Sequence, residues 1–218
     1  WFFGHPEVYI LVLPAMGAVS EVLQRLAGKR AYGYTAIALS SVAIAAISFA
    51  VWVHHMFTAS QDWIVRVAFA VATMVVAIPS GVKVFNWVAT LYGARIRLRA
   101  PMLFTLTFIG FFIVGGVTGV FFPVIPLDLH LQDTYFVLGH FHYVVNAIML
   151  GALGMLLYYF PHITGRWYEE RLAKGSWLLL TVGGGITYTF MLVAGVLGMP
   201  RRYAAAPDSL YYPHHVVM

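Results

Sequence analysis

The chain has 218 residues, 61% of them hydrophobic and only 10% charged. A soluble domain carries about 25% charged residues, so this composition leaves too little polar surface to clothe a water-soluble globule and points to a polytopic membrane protein. The formal net charge of +5 does not indicate nucleic acid, because the basic residues gather in short clusters between apolar runs, and the absence of cysteine excludes disulfides, thiolate metal sites and iron–sulfur clusters.

The first ten residues, WFFGHPEVYI, include no initiator Met, basic n-region or signal peptide. They read as the interior of a longer protein whose N-terminal part is missing. Six stretches are then long and apolar enough to cross a hydrocarbon core of ~30 Å, which takes about 20 residues. They are predicted over 7–27, 34–57, 64–92, 101–122, 134–161 and 176–199. Lipid demands that backbone polar groups be satisfied within each segment, so all six are predicted as helices. The expected architecture is an all-α, polytopic membrane helical bundle of about six transmembrane helices, forming a single membrane domain over 1–218. Pro14 and Pro79 should kink the first and third helices, and Gly183-Gly184-Gly185 weakens the sixth while permitting close packing.

The loops alternate in charge. Arg25, Lys29 and Arg30, then Arg95, Arg97 and Arg99, then Arg166, Arg171 and Lys174 lie in or beside the first, third and fifth loops. By the positive-inside rule these loops face the cytoplasm, which turns both ends of the chain outward. Within or at the edges of the spans, few ionisable residues remain: Glu7, Glu21, Lys83, His5, His54, His55, His140 and His142. Charge is costly inside a bilayer, so each is a candidate functional residue.

Five histidines in three spans make a metal site the leading expectation. His140 and His142 are two residues apart, so two steps of ~100° set them nearly opposite one another on a helix. They are suited to binding two groups on opposite faces, such as two hemes with Phe141 between them. The adjacent pair His54-His55 diverges by ~100° on a regular helix and reaches one metal only where the helix end is distorted. With His5 the pair forms an all-imidazole, three-ligand set, suited to copper, zinc, iron or nickel, with a coordination position left open for substrate. Tyr9 lies at i+4 from His5, on the same face if the helix begins that early.

The segments WFFGHPEVYILVLP, VWVHHMFT, IPSGVKVFNW, DTYFVLGHFHYV and GMPRRY resemble, in order, the successive signatures of subunit I of the heme-copper terminal oxidases. The resemblance implies the second half of that subunit's helical bundle. By it, His5, His54 and His55 match the copper ligands, and Tyr9 matches the tyrosine covalently joined to the first of them. His140 matches the axial ligand of the high-spin heme, and His142 one axial ligand of the low-spin heme, whose other ligand lies on an earlier helix. Glu7 and Lys83 match the carboxylate and the amine of two proton pathways. Arg201 and Arg202 match a pair that neutralises heme propionates, and Asp128 a carboxylate near them. The implied partners are dioxygen, cytochrome c or the subunit II that docks it, the other oxidase subunits and the lipid bilayer. The implied setting is a bacterial or archaeal plasma membrane rather than a mitochondrial inner membrane.

Burial of Glu7 and Lys83 would disfavour their charged forms and suit both to proton relay. Three departures from the family pattern stand out. Gln132 precedes Asp133 where a histidine is usual, at a place where the family holds magnesium, and His130 lies two residues earlier. Ser80 replaces a threonine and would keep a hydroxyl beside Lys83. Gly139 replaces an alanine before His140. Among rival readings, Tyr9 argues against a nitric oxide reductase, and Asp133-Thr134-Tyr135 argues for cytochrome c over quinol as donor. A histidine-relay transporter explains Glu7 and Lys83 but not the opposed His140 and His142.

Overall fold

The structure, a computed structural model, describes residues 1–203. It is helical, with α1 over Gly4–Ala27, α2 over Tyr34–Ser48, α3 over Trp63–Leu91, α4 over Ala100–Gly119, α5 over Ile125–Leu131, α6 over Tyr135–Thr164 and α7 over Glu170–Val196. Five of these (α1, α3, α4, α6 and α7) are long and apolar enough to cross a membrane, and the chain is an integral membrane protein.

Two predicted spans need correction. The second was expected over 34–57, but its α-helix stops at Ser48, and His54 and His55 stand instead on a short 3-10 turn, Trp52–His55. The apolar run continues through Val51, Trp52 and Val53, so hydropathy does not register where the α-helix ends. The fourth was expected to reach 122; it ends at Gly119, and the seven-residue α5 follows before α6. Pro14 and Pro79 lie inside continuous helices, and α7 runs unbroken through its three glycines.

α6 is the central element, packed against α1, α4 and α7. The core forms where α1, α3, α4 and α6 meet, around Val19, Leu23, Trp87, Phe108 and Ala147. Within lipid the gain comes from dense packing and from close backbone approach at small residues rather than from expulsion of water. Gly195 is such a point: a Cβ there would lie 1.8 Å from the Phe136 amide nitrogen. Gly139 is another, since an added Cβ would meet Leu192 at 2.8 Å. The departure from alanine at 139 is therefore matched by the tight α6–α7 contact. Beyond α7 the chain turns back at Gly198 and forms an antiparallel bridge between Thr134 and Pro200. Tyr135 N–H donates to Met199 O, and Arg201 N–H donates to Asp133 O, each at 2.9 Å.

Candidate metal centre

α1 begins at Gly4, early enough to put His5 and Tyr9 on one face, with ring centroids 4.7 Å apart. The 3-10 turn does for His54-His55 what a regular α-helix could not, bringing both adjacent imidazoles to one point. His5 Nδ1 lies 3.0 Å from His55 Nε2, and His54 Nε2 lies 3.0 Å from the same atom. A metal bound by imidazoles at about 2 Å sets its ligand nitrogens roughly 3 Å apart, so this spacing fits one shared ion. The tautomer of His54 is fixed from behind. Thr73 Oγ1 donates to Phe69 O at 2.6 Å and lies 3.0 Å from His54 Nδ1. Its proton is thus committed, Nδ1–H donates to it, and Nε2 is left with a lone pair toward the cluster. Trp1 stacks on His55 at 3.8 Å. His5 Nε2 is buried and has no hydrogen-bond partner among the described residues.

The cluster lines a cavity of about 580 Å³, together with Glu7, Tyr9, Ser80, His140 and Arg201. His140 enters it from α6. Its Nδ1–H donates to Gly115 O at 2.9 Å, which leaves Nε2 free as a ligand atom. Gly119 makes room for the ring, since a Cβ there would sit 2.8 Å from His140 Cε1. His142 does not line this cavity. Its Nδ1–H donates to Leu138 O at 2.8 Å, and its ring lies 5.3 Å from that of Tyr188 on α7. The two histidines serve different faces of α6, as their spacing predicts.

Residues 1–218 match the family model described as cytochrome c and quinol oxidase polypeptide I. The chain belongs to this family. A cytochrome c oxidase polypeptide 1 of Halobacterium salinarum is 50% identical over 205 residues, covering 94% of this chain and 35% of the relative. A cytochrome c oxidase subunit 1 of Bacillus subtilis is 43% identical over 203 residues, covering 93% and 33%. The chain thus spans about a third of the length of these curated relatives. A solved heme-copper terminal oxidase dimer has the same fold, with TM-score 0.85 at 24% identity over 100% of this chain and 43% of that one.

The other residues singled out by the subunit I resemblance fall into three groups. Lys83 is almost fully buried, but it does not line the cavity, and Ser80 is not its partner. Its Nζ donates to the hydroxyl of Ser41 and to Ile37 O on α2. Ser80, expected beside it, faces the cavity instead. Glu7 lines the cavity from α1 and is exposed in this chain. The third group lies on α5 and on the segment that follows α7. Arg201, with its side chain 8% exposed, pairs with Asp133 Oδ1 at 2.6 Å, and the exposed Arg202 reaches the same oxygen at 3.4 Å. Asp128 on α5 is fully buried, and neither of its carboxylate oxygens is hydrogen-bonded among the described residues. Burial, and secondarily the charge of Asp133, push its carboxyl up to about 7.

Two contacts at these residues escape sequence reasoning. Ser41 is the hydroxyl partner of Lys83 across 42 residues, and Gln132 Nε2 donates to His55 O across 77 residues at 2.9 Å. Asp133 faces two guanidinium groups, Gln132 is taken up by a backbone carbonyl, and the three histidines are the only group of three candidate ligands among the described residues.

Proposed function

We propose that the protein containing this chain is a respiratory terminal oxidase that reduces dioxygen to water at a heme–copper centre. The proposed electron donor is cytochrome c, and the reaction is coupled to proton translocation. The observation that carries this reading is the convergence of three imidazoles, with His5 Nδ1 and His54 Nε2 each 3.0 Å from His55 Nε2, on a cavity that a fourth imidazole, His140, also lines. His5 Nδ1, His54 Nε2 and His55 Nε2 would hold copper. His140 would hold the high-spin heme, and His142 would supply one ligand of a low-spin heme whose other ligand lies elsewhere. When bound, these groups supply the electrons that convert one dioxygen, with four electrons and four protons, into two waters.

The chain's own residues orient this chemistry and feed it protons. Thr73 and Gly115 O lock His54 and His140 in the tautomers that present Nε2. Tyr9 borders the cavity beside the unpartnered Nε2 of His5. That atom is suited to the His–Tyr bond implied by the family, and the Tyr9 phenol to giving a proton and an electron. Glu7 opens on the cavity as a proton carrier. Lys83 serves a second route and must leave Ser41 to reach Tyr9. Arg201 and Arg202 set positive charge at the outer rim, where heme propionates would lie, and Asp128 is buried nearby.

The protein is read as a single membrane domain over 1–218, of which residues 204–218 lie outside the described residues. It would sit in a bacterial or archaeal plasma membrane with subunit II and the other oxidase subunits as partners. The decisive experiment uses the complete purified enzyme. Its reduced-minus-oxidised spectrum should show both hemes, metal analysis should show copper, and reduced cytochrome c should support oxygen consumption. His140→Ala should lose the high-spin heme and keep the low-spin one, whereas loss of neither would refute the assignment. Oxidation of quinol but not of cytochrome c would move the donor assignment to quinol.

A further inference from the structure

The outer end of the site contains a strap in which one residue, Gln132, has no part in the oxidase reading. Residues 132–135 are clamped to 199–201 by the Thr134–Pro200 bridge, by Tyr135 N–H to Met199 O and by Arg201 N–H to Asp133 O. Asp133 adopts the left-handed backbone conformation, with φ +58, and takes Arg201 and Arg202 on its carboxylate. Gln132 N–H closes on Asp128 O at 2.7 Å. Gln132 therefore projects from a backbone fixed on both sides, and its side-chain amide donates to the carbonyl of His55.

We infer that Gln132 is a positioning residue for the three-histidine cluster, its amide holding the short turn that presents His55. The inference rests on the copper reading of that cluster. The Trp52–His55 turn has only four residues, and it is followed by Met56 in a non-helical conformation. A 3-10 turn this short has poor hydrogen-bond geometry of its own and takes its orientation from what grips its ends. Trp1 holds the face of the His55 ring, and Gln132 holds the His55 backbone. A backbone carbonyl only accepts, so the contact requires a donor at 132. Glutamate has the same length but, ionised, offers only acceptors, and methionine offers no N–H donor.

The test compares Gln132→Glu and Gln132→Met with wild type in the complete enzyme. Carbon monoxide bound at the heme is photolysed, and the infrared band of the transient copper carbonyl is recorded beside heme spectra and metal content. The expected result in both variants is a shifted or split copper-carbonyl band, or loss of copper, with heme spectra unchanged. A wild-type band at full copper content in both would overturn the positioning role. Loss of the heme spectra together with copper would also overturn it, by making Gln132 a residue of the general fold. A wild-type enzyme holding hemes but no copper would instead overturn the copper reading on which the inference rests.

Discussion

Gly195→Ala tests how far the site depends on the α6–α7 contact. A Cβ at 195 would fall 1.8 Å from Phe136 N, 2.5 Å from its Cα and 2.6 Å from its Cβ, where ordinary contact begins at 3.4 Å. All three are atoms of the first turn of α6, and two of them are backbone, so no flexible side-chain end can yield. The helices must part locally by about 1.6 Å. His140 lies one turn along α6 from Phe136 and is the residue that enters the cavity. Overpacking of this kind costs about 1–3 kcal/mol, and a misplacement of about 1 Å at a reacting group costs on the order of 100-fold in rate. Turnover of the complete enzyme in detergent, measured as oxygen consumption, should therefore fall by about 100-fold, with an altered high-spin heme spectrum and a lowered thermal midpoint. Gly183→Ala is the control on the same helix: nothing lies within 4 Å of its added Cβ, and replacing a helical glycine by alanine is favourable by up to about 1 kcal/mol. If Gly195→Ala turned over as fast as Gly183→Ala, with the same spectrum, the close contact would not be what sets His140.

Lys83→Met keeps the stem and deletes the amine; oxygen consumption should drop severely while copper and both hemes remain, and normal turnover would rule out the lysine route. Ser41→Ala in the same assay should change turnover less than Lys83→Met, since it removes a partner rather than the proton carrier. Asp128 gives a pH signature. Its folded-state value, about 7, lies above the ordinary carboxylate value, so its contribution to stability is fully present below about pH 4 and is lost as pH rises through about 7. The three-unit difference bounds that loss at about 4 kcal/mol. Thermal inactivation of the wild type should therefore be faster at pH 8 than at pH 5, and Asp128→Asn should flatten the dependence; parallel pH profiles would discount the buried carboxylate.

The predicted all-α membrane bundle, the five histidines and the opposition of His140 and His142 are properties of local composition and spacing. A run of apolar residues long enough to cross lipid has few alternatives to a helix, and two residues of separation fix an angle on that helix whatever it packs against. The structure alone decided where α2 ends, because the hydropathy of Val51, Trp52 and Val53 is the same whether they extend the α-helix or turn His54 and His55 toward His5. It also decided that Ser41 rather than Ser80 meets the Lys83 amine and that Gln132 grips His55 O. Spacing places Ser80 and Lys83 on one helix face, yet a long side chain can bend to the neighbouring helix when a carbonyl and a hydroxyl there satisfy it better. Such contacts join residues 42 and 77 positions apart. They depend on how the helices pack, and no local pattern in the chain encodes that arrangement.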